Sequence, residues 1–331
     1  MKNAMTHRER FGAALKGLEV DRPPISMWRH FYTQESDPQS LAEAMLGFQR
    51  KYGWDWMKVN PRASYHVEDW GVRLRYDGDK PPTVTATPVK RPADWLRIEP
   101  LPPDRGVLGE QLRALELIAK GLKGQVPFLM TVFTPFSIAS RLAASEEVFL
   151  RHVREHPEKV RHALDVVTET FIAYSKAAME RGADGLFYAT TVWATTEVMS
   201  REEYERYARP HDLKLLAGLP RGGTHMLHVC KDHNLLPALK GYPVSIFNWD
   251  ARGLGNPSLA EGKALVGRKA VAGGLPHKQD LVAARPGALA SEVNGMLVAM
   301  GTKGWMLGSG CTFPPEAPAR NLTAIRKALE R

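Results

Sequence analysis

The feature that most constrains this chain is an eightfold alternation of short strand-like runs with helical segments. The runs are apolar and rich in β-branched and aromatic residues, and the segments between them carry apolar residues at helical spacing. Strands that alternate with helices pair in parallel through right-handed crossovers. Eight such units in 331 residues predict an α/β fold, a closed (β/α)8 TIM barrel. The predicted strands are residues 25–28, 56–60, 127–134, 185–190, 225–230, 244–250, 270–275 and 305–311. Capping-box patterns predict helix starts at Thr6, at Ser40 for a helix over residues 40–52, and at Ser200 for a helix over residues 200–218.

We expect residues 1–331 to form a single barrel domain. An open, doubly wound sheet that binds a dinucleotide would carry a Gly-x-Gly-x-x-Gly loop after an early strand, and none occurs there. The hydrophobic content of 44% is enough for one large core. No linker rich in proline, glycine or serine divides the chain.

One segment departs from the alternation of strands and helices. Residues 72–76 and 83–86 alternate between apolar and polar on either side of an Asp-Gly turn. That pattern predicts a β-hairpin insertion after strand 2. Barrel active sites lie on the same side as this insertion, so it is expected to be either a lid or a flap without function.

Charge and composition exclude several classes of protein. The 45 basic and 36 acidic residues give a net charge of +9, but the basic residues are scattered and no nucleic-acid-binding motif occurs. We therefore expect a small-molecule substrate and no nucleic-acid partner. Diffuse positive charge would attract such a substrate if it is anionic. The most apolar run, residues 126–133, is too short to cross a membrane, and residues 1–10 lack the apolar core of a secretory signal. Two cysteines form no disulfide framework, which favours the cytoplasm.

A histidine and the two cysteines fall at the carboxyl ends of two predicted strands. His228 and Cys230 lie two residues apart, on one face of strand 5, and Cys311 ends strand 8. Histidine nitrogen and cysteine sulfur are zinc ligands, and three of them with a fourth position free suit a catalytic site. Asp250, at the end of strand 6, is the predicted fourth ligand, unless it caps the next helix. The alternatives for the cysteines are two inert buried thiols or one disulfide.

Other polar residues at the strand ends are candidates for contact with a substrate. His277, Asn60 and Tyr188 are predicted catalytic residues, with ordinary loop hydrogen bonding as the alternative. Arg29 and His30 follow the first strand, where they are expected to meet an anionic group or to form surface ion pairs.

Several segments together resemble the uroporphyrinogen decarboxylase superfamily over nearly the whole chain. The resemblance implies a (β/α)8 barrel. The segments are the opening helix followed by residues 21–24 (Asp-Arg-Pro-Pro), residues 53–55 (Gly-Trp-Asp), the glycine pair 273–274, and the closing residues 310–315 (Gly-Cys-Thr-Phe-Pro-Pro) with Asn321.

The chain departs from the decarboxylases of that superfamily at three places. Their arginine-rich motif is represented here by Arg29 alone, and residues 60–62 (Asn-Pro-Arg) stand where they carry Phe-Ser-Asp. Their late Gly-His-Gly segment is replaced by residues 308–310 (Gly-Ser-Gly). A substrate with many carboxylates needs several cations, so these differences argue against porphyrinogen decarboxylation.

The His-x-Cys pattern with a late cysteine is instead similar to the methyltransferase branch of the superfamily. That branch includes enzymes that move methyl groups from methylated corrinoid proteins to coenzyme M. The resemblance implies a zinc ion held by His228, Cys230 and Cys311. No Asp-x-His-x-x-Gly corrinoid motif occurs, so cobalamin or another corrinoid would come from a carrier protein or from solution.

Three hypotheses follow from the sequence. The first is a zinc-dependent methyltransferase that moves a methyl group between a corrinoid and a thiol or another small acceptor or donor. The second is a metal-free decarboxylase in which Arg29 and Arg62 hold carboxylates. The third is a non-catalytic protein that handles a corrinoid or a metal.

Overall fold

The computed structural model describes residues 4–330, in which eight parallel strands surround a common core. All eight predicted runs contain a strand, so the prediction of a (β/α)8 barrel is confirmed. Around the barrel the order is β1, β10, β9, β8, β7, β6, β5 and β2. The strands are β1 (Ile25–Ser26), β2 (Met57–Val59), β3 (Arg73–Arg75), β4 (Thr83–Ala86), β5 (Phe128–Phe133), β6 (Gly185–Ala189), β7 (Met226–Val229), β8 (Ile246–Trp249), β9 (Ala270–Leu275) and β10 (Trp305–Ser309).

Helices cover the outside of the barrel, and none within residues 4–330 is both long and apolar enough to cross a membrane. Residues Pro92–Arg97 form a 3-10 turn. The α-helices are α1 (His7–Leu15), α2 (Pro38–Tyr52), α3 (Tyr65–Glu68), α4 (Gly106–Leu122), α5 (Pro135–Ser140), α6 (Glu146–Glu155), α7 (Pro157–Glu180), α8 (Arg201–Tyr207), α9 (Arg209–Ala217), α10 (Leu236–Leu239), α11 (Leu259–Val266), α12 (Gln279–Ala283), α13 (Pro286–Met300) and α14 (Ala319–Ala328).

The amino-terminal end of the barrel is closed by α1. The predicted capping box is present, because the Thr6 side chain accepts from the backbone N–H of Glu9 while the Glu9 side chain accepts from that of Thr6. Phe11 of this helix packs against Trp56 inside the barrel, with ring centroids 6.3 Å apart. Both side chains are buried, so the barrel has a packed floor and is open only at the opposite end.

Within residues 4–330 no strand ladder joins β1 to β2, and the seam between them is held by Asp55. The Asp55 N–H donates to the Ile25 carbonyl at 2.8 Å, and the Ile25 N–H donates to the Asp55 carboxylate at 2.9 Å. His7, Arg10 and Arg22 also contact this fully buried carboxylate. Burial alone would raise the pKa of Asp55, but the hydrogen bonds from His7 and Arg22 and the charge of Arg22 hold it below its ordinary value.

Strands β3 and β4 follow β2 and α3 and form a separate antiparallel sheet. Arg75 pairs with Thr83 and Leu74 with Val84, and the register shifts between Arg73 and Leu74. The small sheet is largely exposed. Residues in the turn between its strands border the cavity described below, and a role as a lid stays a prediction.

Two helix boundaries differ from the sequence-based expectation. Helix α2 begins at Pro38, because the side chain of Asp37 caps it by accepting from the Ser40 N–H. The single helix expected over residues 200–218 is split into α8 and α9. The break is explained by Pro210, which has no N–H to continue the helix.

Candidate metal centre

Three potential metal ligands converge at the open end of the barrel. His228 points inward from β7, Cys230 directly follows that strand, and Cys311 follows β10. The two sulfur atoms are 3.9 Å apart. A ligand atom from each of the three side chains lies within 4.8 Å of the other two. We call these three residues the ligand cluster.

The geometry of the ligand cluster fits a zinc ion. Two sulfurs bound at about 2.3 Å in a tetrahedral site are about 3.8 Å apart, close to the 3.9 Å between the sulfurs of Cys230 and Cys311. A disulfide would need about 2.05 Å, and both cysteines are free. Two sulfurs and one imidazole nitrogen form a donor set that zinc favours.

The buried side chain of Asn248 determines which nitrogen of His228 faces the cluster. Asn248 is the register partner of His228 on the neighbouring strand β8. Its amide Nδ2 donates to the carbonyls of Ala272, at 2.9 Å, and Ser309, at 3.2 Å. Its Oδ1 therefore faces His228 Nδ1, at 2.6 Å, and accepts the proton of that nitrogen. This leaves the lone pair of Nε2 for a cation.

The two cysteines form a hydrogen-bonded pair. The hydrogen bond between them raises the pKa of Cys230 and lowers that of Cys311. A thiolate is the form of cysteine that binds metals, so a lowered pKa makes Cys311 better suited to ligate one.

Asp250, the predicted fourth ligand, is not among the cluster's ligand atoms. One of its carboxylate oxygens lies 3.2 Å from Lys278 Nζ, and the other accepts from the Arg252 N–H at 3.1 Å. Both carboxylate oxygens of Asp250 therefore have protein partners without a metal, and its role as the fourth ligand stays a prediction.

His277 lies beside the cluster but behind the backbone of Gly310. A Cβ at Gly310 would be 3.0 Å from His277 Nδ1 and 2.8 Å from the Cα of Asp250. The absence of a side chain there lets both residues approach the turn that carries Cys311. Burial lowers the pKa of His277, and the ring lines a separate shallow depression with Asp250 and Lys278.

The structure places Tyr188 away from the open end. Its neighbours Phe187 and Ala189 face the interior, so Tyr188 points outward into the layer between strands and helices. There its hydroxyl donates to Asp212 at 3.4 Å, and Tyr204 donates to the same carboxylate. A catalytic role for Tyr188 stays a prediction, although its hydroxyl is directed to Asp212 in this structure.

Asn60 is fully buried beneath the open end rather than exposed to it. Neither atom of its amide has a hydrogen-bond partner within residues 4–330. The amide borders a very small internal cavity next to Trp28 and Lys58. Three other candidates also have protein partners. Arg29 contacts Asp79 and the carbonyl of Pro315. His30 pairs with Glu35, and Arg62 pairs with Glu68.

A cavity of about 350 Å³ opens above the ligand cluster. Phe187 forms its floor and stacks on His228, with ring centroids 5.2 Å apart. Lys58, which we did not predict from the sequence, lies with its Nζ 4.8 Å from the centroid of the same phenyl ring. The signal that could have found it is a lysine inside the apolar run 56–59. The other lining residues include Trp28, His66, Pro81, Pro82, Phe133, Arg141, Thr191, Lys231 and Thr312.

Comparisons with known proteins agree with this architecture. The sequence model of the family described as uroporphyrinogen decarboxylase (URO-D) matches residues 6–331. A methylated-thiol–coenzyme M methyltransferase of Methanosarcina mazei is 28% identical over 264 residues, which cover 76% of this chain and 71% of that protein. A methylcobamide:CoM methyltransferase of Methanosarcina barkeri is 23% identical over 98% of both chains.

A solved structure shares the fold over nearly its full length. It is described as a methyltransferase from Methanosarcina mazei, with a TM-score of 0.86, 22% sequence identity and coverage of 98% of both chains.

Proposed function

This chain belongs to the uroporphyrinogen decarboxylase family, and on that premise we propose that it is a zinc-dependent methyltransferase. It would move a methyl group between a corrinoid, carried by a partner protein or taken from solution, and a thiol or another small acceptor or donor. The observation that carries the proposal is the ligand cluster, with two sulfurs 3.9 Å apart and an imidazole nitrogen facing the same cavity.

The ligand cluster leaves room for one further ligand from the cavity. A zinc ion held by His228, Cys230 and Cys311 would supply the positive charge that lowers the pKa of a substrate thiol from about 8.5. His228 is oriented with Nε2 toward the cluster because Asn248 accepts its Nδ1 proton at 2.6 Å. Phe187 and Trp28 cover the floor of the cavity with apolar surface and limit the access of water.

The transfer itself needs no covalent intermediate on the protein. The substrate thiol loses its proton to solvent, and a sulfur lone pair forms the new bond to the methyl carbon. A methylated corrinoid would supply this methyl group, and the electron pair of its carbon–cobalt bond would leave with the corrinoid. Cys230 and Cys311 remain ligands throughout. In the reverse direction the methylated small molecule is the donor.

The names of the relatives support this choice over the alternatives. Two of them are methyltransferases that act on coenzyme M, and one of these names a methylated corrinoid. A metal-free decarboxylase would need free guanidinium groups, but Arg29 and Arg62 already have protein partners. We also propose a cytoplasmic location, since two free cysteines this close together persist in a reducing compartment.

The test combines metal content with methyl transfer. We expect about one zinc per chain and transfer of a methyl group from methylcobalamin to a thiol. The transfer is monitored by the change in absorbance of the corrinoid. The Cys230→Ser and Cys311→Ser proteins should lose both zinc and activity. His233→Asn is the matched control, since His233 is close in sequence but outside the cluster. A Cys230→Ser protein with full zinc and full activity would refute the proposal. Zinc binding without transfer to any carrier would favour the non-catalytic alternative.

A further inference from the structure

The turn that follows Cys230 has a strained backbone. Lys231 and His233 have φ angles of 74° and 46°, in the left-handed region that residues with a side chain rarely adopt. Lys231 is joined to Cys230 by one peptide bond, so a change in this turn moves the sulfur. Such a conformation persists only where surrounding contacts hold it. We call residues 231–234 the ligand turn.

Asn256 holds the ligand turn from the loop after β8. Its amide Nδ2 donates to the carbonyl of Lys231 and to the carbonyl of Asp250, both at 2.9 Å. Its Oδ1 accepts from the backbone N–H of Asn234, also at 2.9 Å. One side chain therefore joins both ends of the ligand turn to the end of β8.

The loop that carries Asn256 also fits closely against the ligand turn. The carbonyl of Leu254 accepts from the backbone N–H of His233 at 2.7 Å. A Cβ at Gly253 would lie 2.6 Å from Asp232 Oδ1, and a Cβ at Gly255 would clash with the His233 ring. The two glycines thus let the loop and the ligand turn approach each other.

Thr195 holds the ligand turn from the opposite side. It follows β6, whereas Asn256 follows β8, and these two strands flank β7. The buried Thr195 hydroxyl donates to the carbonyl of Asp232 at 2.6 Å and lies 3.2 Å from that of His233. The ligand turn is therefore fixed between two neighbouring loops.

We propose that Asn256, assisted by Thr195, is a positioning residue for Cys230. The inference rests on the proposed function and deepens it, because it takes the ligand cluster as the metal site. Asn256 fixes the backbone beside Cys230 where its sulfur lies 3.9 Å from that of Cys311. The hydrogen bonds go to backbone atoms of the ligand turn, so the turn's own side chains have no part in them. Without them a metal would have to order the turn on binding, which lowers its affinity.

The experiment measures metal binding by the full chain without any substrate. Competition with a chromophoric chelator gives the zinc dissociation constant. In the cobalt(II)-substituted protein, the sulfur-to-cobalt charge-transfer band reports how many thiolates are bound, and Cys230→Ser gives the band of a site with one sulfur. Asn256→Ala removes all three hydrogen bonds, and Thr195→Val removes the hydroxyl with little change in shape. Asn321→Ala is the matched control, since Asn321 donates to two carbonyls away from the cluster.

We expect Asn256→Ala to weaken zinc binding about tenfold, the lower end of the range for groups that orient metal ligands. Its cobalt charge-transfer band should fall toward that of Cys230→Ser, because the Cys230 sulfur is no longer held in place. Thr195→Val should change both measurements in the same direction, and it tests the inference if Asn256→Ala does not fold. Asn321→Ala should lose stability and keep the zinc affinity and the cobalt band of the wild type.

A second pair of variants tests the backbone conformation itself. Glycine adopts a positive φ without strain, so Lys231→Gly should make the ligand turn less dependent on Asn256. Added to Asn256→Ala, Lys231→Gly should recover zinc affinity. Lys231→Ala removes the same side chain and keeps the strain, so in the same background it should recover none.

Three results would overturn the inference. The first is an Asn256→Ala protein with the zinc affinity and cobalt band of the wild type. The second is an equal loss of zinc affinity in Asn321→Ala, which would show an effect of general stability. The third is equal zinc affinity in the two double variants. Each leaves the proposed function intact, because the wild type still binds zinc. A wild type that binds neither zinc nor cobalt would refute the proposed function and the inference together.

Discussion

The strongest test of the site geometry is the replacement of Asn248 by alanine. Its side chain makes three hydrogen bonds, to His228 at 2.6 Å and to the carbonyls of Ala272 and Ser309 at 2.9 and 3.2 Å. At about 1 kcal/mol for each bond, the metal-free protein should lose roughly 3 kcal/mol of unfolding free energy. Without the acceptor, His228 can rotate or change tautomer, and zinc affinity should fall about 10- to 100-fold.

A second buried asparagine offers a matched control. Asn321 donates its amide to the carbonyls of Leu281, at 2.8 Å, and Ala284, at 3.1 Å, but does not contact a metal ligand. Asn321→Ala should cost roughly 2 kcal/mol of stability and leave zinc affinity unchanged. Asn248→Asp keeps an acceptor for His228 while it removes the two donated bonds, so stability should fall and zinc affinity should stay near the wild-type value.

Two measurements separate these effects. Urea unfolding of the chelator-treated proteins gives the stability, and competition with a chromophoric chelator gives the zinc dissociation constant. The reasoning is refuted if Asn248→Ala binds zinc as tightly as wild type, or if Asn321→Ala weakens zinc binding as much as Asn248→Ala does.

Three further predictions concern Asp55 and Gly310. Asp55→Asn leaves its buried cations without their carboxylate and should cost about 3–5 kcal/mol in urea unfolding, whereas Glu292→Gln, in an exposed pair, should cost less than about 1 kcal/mol. Because the pKa of Asp55 is depressed in the folded protein, its contribution to stability is complete above the ordinary value near 3.9 and is lost as pH falls below it. The stability of Asp55→Asn should therefore fall less steeply with acid than that of the wild type. An unchanged dependence of stability on pH would contradict this. Gly310→Ala places a methyl group 2.8 Å from the Cα of Asp250 and should weaken zinc binding by displacing Cys311, while Gly241→Ala, with open space around it, should not.

The fold was predictable because its signals are local. Apolar runs and helical periodicity are properties of neighbouring residues, and they located all eight barrel strands. Capping boxes located two helix starts, at Thr6 and Ser200. The start of α2 was misplaced because Asp37 is a cap of equal strength three residues before Ser40.

The site was predictable only in part, because side-chain direction and strand register are not local. His228, Cys230 and Cys311 were found from their residue types at strand ends. One position of the alternation is enough to turn a side chain to the opposite face, and the Tyr188 hydroxyl is directed to Asp212.

The partners of these residues were missed for a different reason. Asn248 lies opposite His228 only because β7 and β8 pair in that register, 20 positions apart in the chain. Lys58 reaches the ring of Phe187 across the barrel, from strands that are not neighbours in the sheet. Neither contact can be predicted from the residues that are near these positions in the sequence.

At the seam between β1 and β2, one wall of the cavity lacks the strand ladder that joins the other described barrel strands. Trp28 follows β1 and Lys58 lies on β2, so the two side chains border the cavity from opposite sides of the seam. The ligand cluster follows β7 and β10, each hydrogen-bonded to a strand on both sides. Parting of the seam would widen the mouth on the Trp28 side while the sulfur atoms stay in register. A cavity that widened in this way would admit ligands of different width without any change in the spacing of the Cys230 and Cys311 sulfurs.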